Sequence, residues 1–237
     1  MTPAQLIAKY RDLPVVLENG TAMRVKVYKY RSRNPQYGGT QAAERYKDEL
    51  LNQLRRQPGH PSIPALALAH TFTGKGSVDE IITSLRIVAR LGAYNTRVPL
   101  QAGLQQVCDD YIGLDCNGFV GNFARAMNLS RSHDPADRAP RDWADAGVRR
   151  RSIAAVAPAA APHDVLVWTN GTHIALIDRN QGSLVNAVGR EFFVAESSAG
   201  GLQVNPYRIT GFNPTTLVFN VSKQPHGTAQ VYICRMS

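Results

Sequence analysis

Gly113-Leu114-Asp115-Cys116-Asn117-Gly118-Phe119-Val120 is a polar turn that carries one cysteine and runs directly into a helical pattern. From Val120 onward, Val120, Phe123, Ala124 and Met127 recur at the i, i+3, i+4, i+7 spacing of a helix that buries one side. That spacing puts Cys116 in the first turn. Backbone N–H groups there have no intrahelical acceptor and the helix dipole is positive, so both favour a thiolate, the nucleophilic form of cysteine. Asp115 is placed to cap the helix, and Gly118 leaves room for another segment to approach it. A free cysteine is by default a small buried hydrophobe; its place at a helix start sets Cys116 apart from Cys108 and Cys234.

A nucleophile of this kind needs a base. Downstream, His163 to Trp168 reads as a strand, Thr169-Asn170-Gly171 as a turn, and Thr172 to Ile177 as a second strand that His173 opens. A further turn at Arg179-Asn180-Gln181-Gly182 leads into Ser183 to Val188. Antiparallel pairing of that strand with the one before it lays Asn186 beside His173. Asp178 is five positions after His173, on the opposite face of a period-two strand and roughly 16 Å along it at about 3.3 Å per residue, which makes it a poor partner for the imidazole.

The string around Cys116 resembles the nucleophile motif of the NlpC-type cell-wall peptidases, a papain-like superfamily related to the CHAP amidases. Their motif reads Asp-Cys-Ser-Gly followed by two apolar residues, and Asn117 stands here for the serine. The histidine region is similar as well, with His163 in place of a glycine before Asp164. The interval of 173 − 116 = 57 residues and the order of cysteine before histidine agree with the family pattern. The resemblance implies Cys116 as nucleophile, His173 as base and Asn186 as the group that orients it, with Tyr94 and Asp115 in support and neither metal nor cofactor. It implies an α+β, papain-like fold, with the nucleophile at a helix N-terminus packed on an antiparallel sheet. The implied activity is hydrolysis of amide bonds in peptidoglycan stem peptides. The resemblance spans residues 77–237, expected to form the hydrolase domain; residues 1–76 match no known pattern and are expected to form an accessory region. Two other readings stand beside this one: a protein-directed cysteine hydrolase or acyltransferase toxin, and an inactive binding module.

The 237 residues suffice for one large or two small domains with a proper core. The net charge of +9 suggests an acidic partner. Nucleic acid, anionic lipid or an anionic cell-wall polymer would each suit that charge, which alone does not choose among them; scattered basic residues, with clusters only at Arg55-Arg56 and Arg149-Arg150-Arg151, make nucleic acid the weaker reading, and peptidoglycan is the partner the resemblance implies. Three dispersed cysteines form neither a metal cluster nor a disulfide framework, although Cys108 and Cys234 are candidates to pair under oxidation. The first ten residues lack the apolar core of a secretory signal, and no apolar run reaches membrane-spanning length. The expectation is therefore a soluble protein, made in the cytoplasm without a signal peptide or membrane insertion and delivered to the periplasm or cell wall. An injected amidase effector or a phage lysin fits that description, with an immunity protein or a secretion-system component as partner.

In chain order, Pro3 to Leu13 reads as a short helix, Ala22 to Tyr30 as a half-exposed strand and Thr40 to Arg56 as an amphipathic helix. Pro61 to Gly76 reads as a connector, its Gly74-Lys75-Gly76 being too short for a phosphate loop. Ser77 with Glu80 makes a capping box for a helix buried through Ile81, Leu85 and Val88. Between nucleophile and base, Trp143 and Arg149 to Arg151 are candidate cleft walls. After Asn186, strands are expected at 191–195, 207–210, 216–221 and 230–234.

Overall fold

The helical half begins where capping residues dictate. In the computed structural model, which describes residues 1–31, 40–57, 64–129, 138–146, 148–149, 164–180, 189, 191–223 and 227–236, Thr2 and Gln5 form a capping box on α1 (Pro3–Tyr10). Ser77 and Glu80 form another on α4 (Val78–Leu91), which Gly92 ends in the left-handed conformation. A short hairpin, β1 (Leu13–Val16) with β2 (Ala22–Val25), follows α1, and α2 (Thr40–Arg55) follows the hairpin. The expected connector before Gly76 contains a helix, α3 (Ala65–Phe72). Its alanines and leucines are strong helix formers, but Pro64 at its N-cap makes no side-chain capping bond, so the usual start signal is missing. Next come α5 (Leu100–Tyr111), α6 (Cys116–Ala126) and α7 (Pro140–Ala146).

The second half corrects the expected architecture. Instead of a papain-like helix on an open antiparallel sheet, β4 (Asp164–Trp168), β5 (Ile174–Asn180), β6 (Glu191–Ser198), β7 (Gly201–Asn213), β8 (Val218–Lys223) and β9 (Gly227–Arg235) pair antiparallel in sequence order, and β9 returns to β4 to close a six-stranded barrel. A two-residue strand, β3 (Val148–Arg149), adds to the end of β9. Bulges between Ile177 and Arg179 and between Ile209 and Gly211 shift the register; such irregularities bend strands and help a sheet curl shut.

Closure gives the barrel two apolar surfaces. Ala175, Ile177, Phe192, Val194, Tyr207, Ile209, Phe219 and Val221 fill the interior, whereas Ile174, Leu176, Ala195 and Leu202, pointing the other way, join a core with Leu6, Tyr10, Phe119 and Phe123 from the helices. Continuous apolar runs such as Ile174 to Ile177 follow from burial on both faces. Side chains from residues 1–76 and 77–237 share that outer core. Among the described residues no helix is long and apolar enough to cross a membrane, and all three cysteines are buried and outside any disulfide.

Candidate active site

The turn before α6 is held by two segments from the N-terminal part of the chain. Leu114 donates its N–H to the Lys29 carbonyl at 3.0 Å, and its own carbonyl accepts from the Arg31 N–H at 3.2 Å and from the Ser197 hydroxyl at 2.5 Å. In the second segment, the Gly74 carbonyl accepts from the Asp115 N–H at 3.0 Å. Asn122 on α6 donates to the carbonyls of Lys75 and Gly76 at 2.9 and 3.1 Å. A side chain at Gly118 would collide with the Gly74 carbonyl oxygen, so the glycine is required for this approach. Asp115 is the N-cap, accepting the Gly118 N–H at 2.5 Å, and its other oxygen pairs with the buried ammonium of Lys75 at 3.0 Å. Cys116 and Asn117 thus occupy the first two helical positions, where backbone N–H groups have no intrahelical acceptor.

His173 stands just before β5, at the end of the hairpin turn from β4. Trp168 donates its N–H to the His173 carbonyl at 3.0 Å, and the Trp168 ring meets the imidazole edge-on with 4.6 Å between centroids. The Cys116 side chain interacts with this fixed ring and raises its pKa, and the ring's Nε2 lies 3.0 Å from Oε2 of Glu196. With Nε2 committed to the carboxylate, Nδ1 is the ring nitrogen available for proton transfer.

Glu196 is the group that sequence reasoning missed. On β6 it lies in line with Phe192 and Val194, whose side chains point into the barrel, and it is only 1% exposed. A carboxylate at an interior position must find donors, and this is the signal that could have found it. Oε1 accepts from Asn205 Nδ2 at 2.7 Å and from Lys223 Nζ, while Oε2 accepts from the Tyr207 hydroxyl at 3.3 Å in addition to His173. Burial alone would raise its pKa, but the hydrogen bonds and charges of His173 and Lys223 outweigh burial and hold it down at about 2. For His173 burial would lower the pKa; the hydrogen bonds to Cys116 and Glu196, with their charges, lift it to about 9. Burial and the Glu196 charge push Tyr207 up, which keeps its hydroxyl a donor.

The other expected site residues have different placements. Asn186 lies outside the described residues, as do Arg150 and Arg151. Asp178 accepts the Ala4 N–H at 2.7 Å, away from His173. Tyr94 packs on Gly103 and lines a second cavity, of about 410 Å³, bounded by α2, the end of α4 and α5. Trp143 is buried in the core outside the barrel. Among the described residues no group of three or more His, Cys, Asp or Glu side chains has the geometry to hold a metal ion.

A cavity of about 340 Å³ opens at the barrel mouth, with His173, Trp168, Lys223 and, from the N-terminal region, Tyr30 in its wall. A thiol, an imidazole and a buried carboxylate in sequence are the parts of a nucleophile, its proton-transfer partner and an orienting group. Comparisons with protein-family models, with curated proteins and with solved structures find no match.

Proposed function

We propose that this protein is a cysteine hydrolase that cuts amide bonds, with the stem peptides of peptidoglycan as its substrate. One observation carries the reading: an imidazole with one nitrogen fixed to a buried carboxylate interacts with a thiol at a helix start. In the proposed reaction a protonated His173 supplies the positive charge that a Cys116 thiolate needs beside it. Sulfur attacks the amide carbon, and the backbone N–H groups of Cys116 and Asn117 receive the oxyanion. The C–N bond then breaks as His173 gives its proton to the departing amine, leaving a thioester. Neutral His173 takes a proton from water, hydroxide adds to the thioester, and the C–S bond breaks to release the acid and restore the thiolate. Glu196 keeps Nε2 protonated and the ring aligned, the role expected of Asn186.

Support for peptidoglycan comes from the motif around Cys116 and from the net charge of +9, which favours adsorption to an anionic wall. The proposal extends to an antibacterial effector or lysin that acts after delivery outside the cytoplasm. Purified muropeptides incubated with the protein should yield fragments carrying one added water per cleaved bond, and Cys116→Ala should yield none. Intact muropeptides after incubation with the wild-type protein, together with Cys116-dependent cleavage of a protein substrate, would move the assignment to a protein-directed hydrolase.

A further inference from the structure

The barrel-mouth cavity includes His173 in its wall, but Cys116 does not contribute to it. This asymmetry has a chemical consequence if, as proposed above, the pair cleaves amides. The carbonyl carbon must approach Cys116 while the departing nitrogen collects its proton from His173, so the amine fragment lies on the imidazole side, where the cavity opens.

The charges in the wall define what that fragment carries. Glu196 contributes little negative surface, because it is 1% exposed and its oxygens are taken by His173, Asn205, Tyr207 and Lys223. The Lys223 side chain is 15% exposed, and its ammonium has three N–H bonds, of which Glu196 takes one. The ring of Tyr207, 5.9 Å from Nζ, steadies the cation. Tyr30, Ser198 and Thr228 also line the cavity. At about 340 Å³ the cavity is at the small end of the roughly 300–1,000 Å³ typical of ligand sites, a size suited to one or two amino-acid residues.

We propose that this cavity binds the amine fragment of the substrate and that Lys223 recognises a free carboxylate on it. The preferred bond is then an amide whose nitrogen belongs to an amino acid or dipeptide bearing an unblocked carboxyl group. Cleavage adds one water, the acyl fragment leaving as a carboxylic acid and the cavity-bound fragment as a free amine.

The test uses full-length Cys116→Ala, which cannot turn over. Calorimetry compares the tetrapeptide L-Ala–γ-D-Glu–meso-diaminopimelate–D-Ala with the same peptide amidated at its carboxyl groups. The free acid should bind about 10–100-fold more tightly, the worth of a charge-assisted hydrogen bond. Adding Lys223→Gln should make the two ligands equal, and Lys223→Arg should preserve the preference. Equal binding of acid and amide, or binding of neither, overturns the proposal; that comparison needs no substitution at Lys223, so it stands even where Lys223→Gln misfolds. Digestion with the wild-type protein separates this inference from the reading beneath it. Cleavage without acid preference removes the carboxylate pocket and keeps the hydrolase, whereas acid-selective binding without cleavage keeps the pocket and removes the peptidoglycan hydrolase.

Discussion

At the scale of single residues, the site depends on how one imidazole is held. Cys116 and His173 were legible because each announces itself locally, the thiol by a cap and a helical period, the histidine by the turn and apolar strand around it. Glu196 was not, because its partners Asn205, Tyr207 and Lys223 come from β7 and β8 and are gathered only by the register of β6 on β7 and of β7 on β8. In the proposed reaction, the proton that His173 would donate to the leaving amine sets a testable pH dependence. With its pKa raised to about 9 by Cys116 and Glu196 against the pull of burial, His173 stays protonated through neutrality, so kcat/KM should fall on the alkaline side near pH 9 rather than near 6.5. Glu196→Gln removes the negative charge that holds that proton, and should move the limb to lower pH while Lys223 and Tyr207 remain in place. His173→Ala should cost on the order of 10²–10⁴-fold in rate, and Glu196→Gln less. A rate profile whose alkaline limb ignores the Glu196 substitution would remove the carboxylate from the mechanism.

At the scale of elements, the nucleophile turn is a joint between three parts of the chain. Residues 29–31 and 74–76, which meet each other where Gly74 packs on the Arg31 carbonyl, both hold it, which gives the N-terminal region a structural role at the site. Gly118→Ala would drive a methyl group into the Gly74 carbonyl, and an overpacked contact of this kind costs about 1–3 kcal/mol. Asp115→Ala loses a helix cap, worth about 1 kcal/mol, and leaves Lys75 buried without its carboxylate. Each change should lower Tm by several degrees, at roughly 2–4 °C per kcal/mol for a chain of this size. Circular dichroism melts provide the measurement, and wild-type melting of both variants would contradict the clamp. The capping box of α4 and the strands of the second half could be read from local pattern, but the closed barrel could not. Closure depends on β9 pairing with both β4 and β8, a non-local fact that period-two alternation does not encode, so the strands alone suited an open sheet equally well.

At the scale of the whole molecule, charge and address decide what the chemistry does. If the protein, with its net charge of +9, cuts the wall as proposed, it should be harmless where there is no wall and damaging where there is. Fused to a periplasmic signal, it should lyse a Gram-negative host; unfused it should be tolerated, and the signal-bearing Cys116→Ala should be tolerated as well. Growth curves of the three strains read this out, and toxicity of the unfused form that requires Cys116 would point to a cytoplasmic protein target. The pairing of Cys116 with His173 is tested most directly in the intact folded protein by timed iodoacetamide labelling at neutral pH, with peptide mass mapping of every cysteine. The expected result is rapid alkylation of Cys116, which is 5% exposed and interacts with His173, little at Cys108 and Cys234, which are 1% and 0% exposed, and marked slowing at Cys116 in His173→Ala. Equal labelling of all three thiols, or a Cys116 rate indifferent to His173, would contradict it.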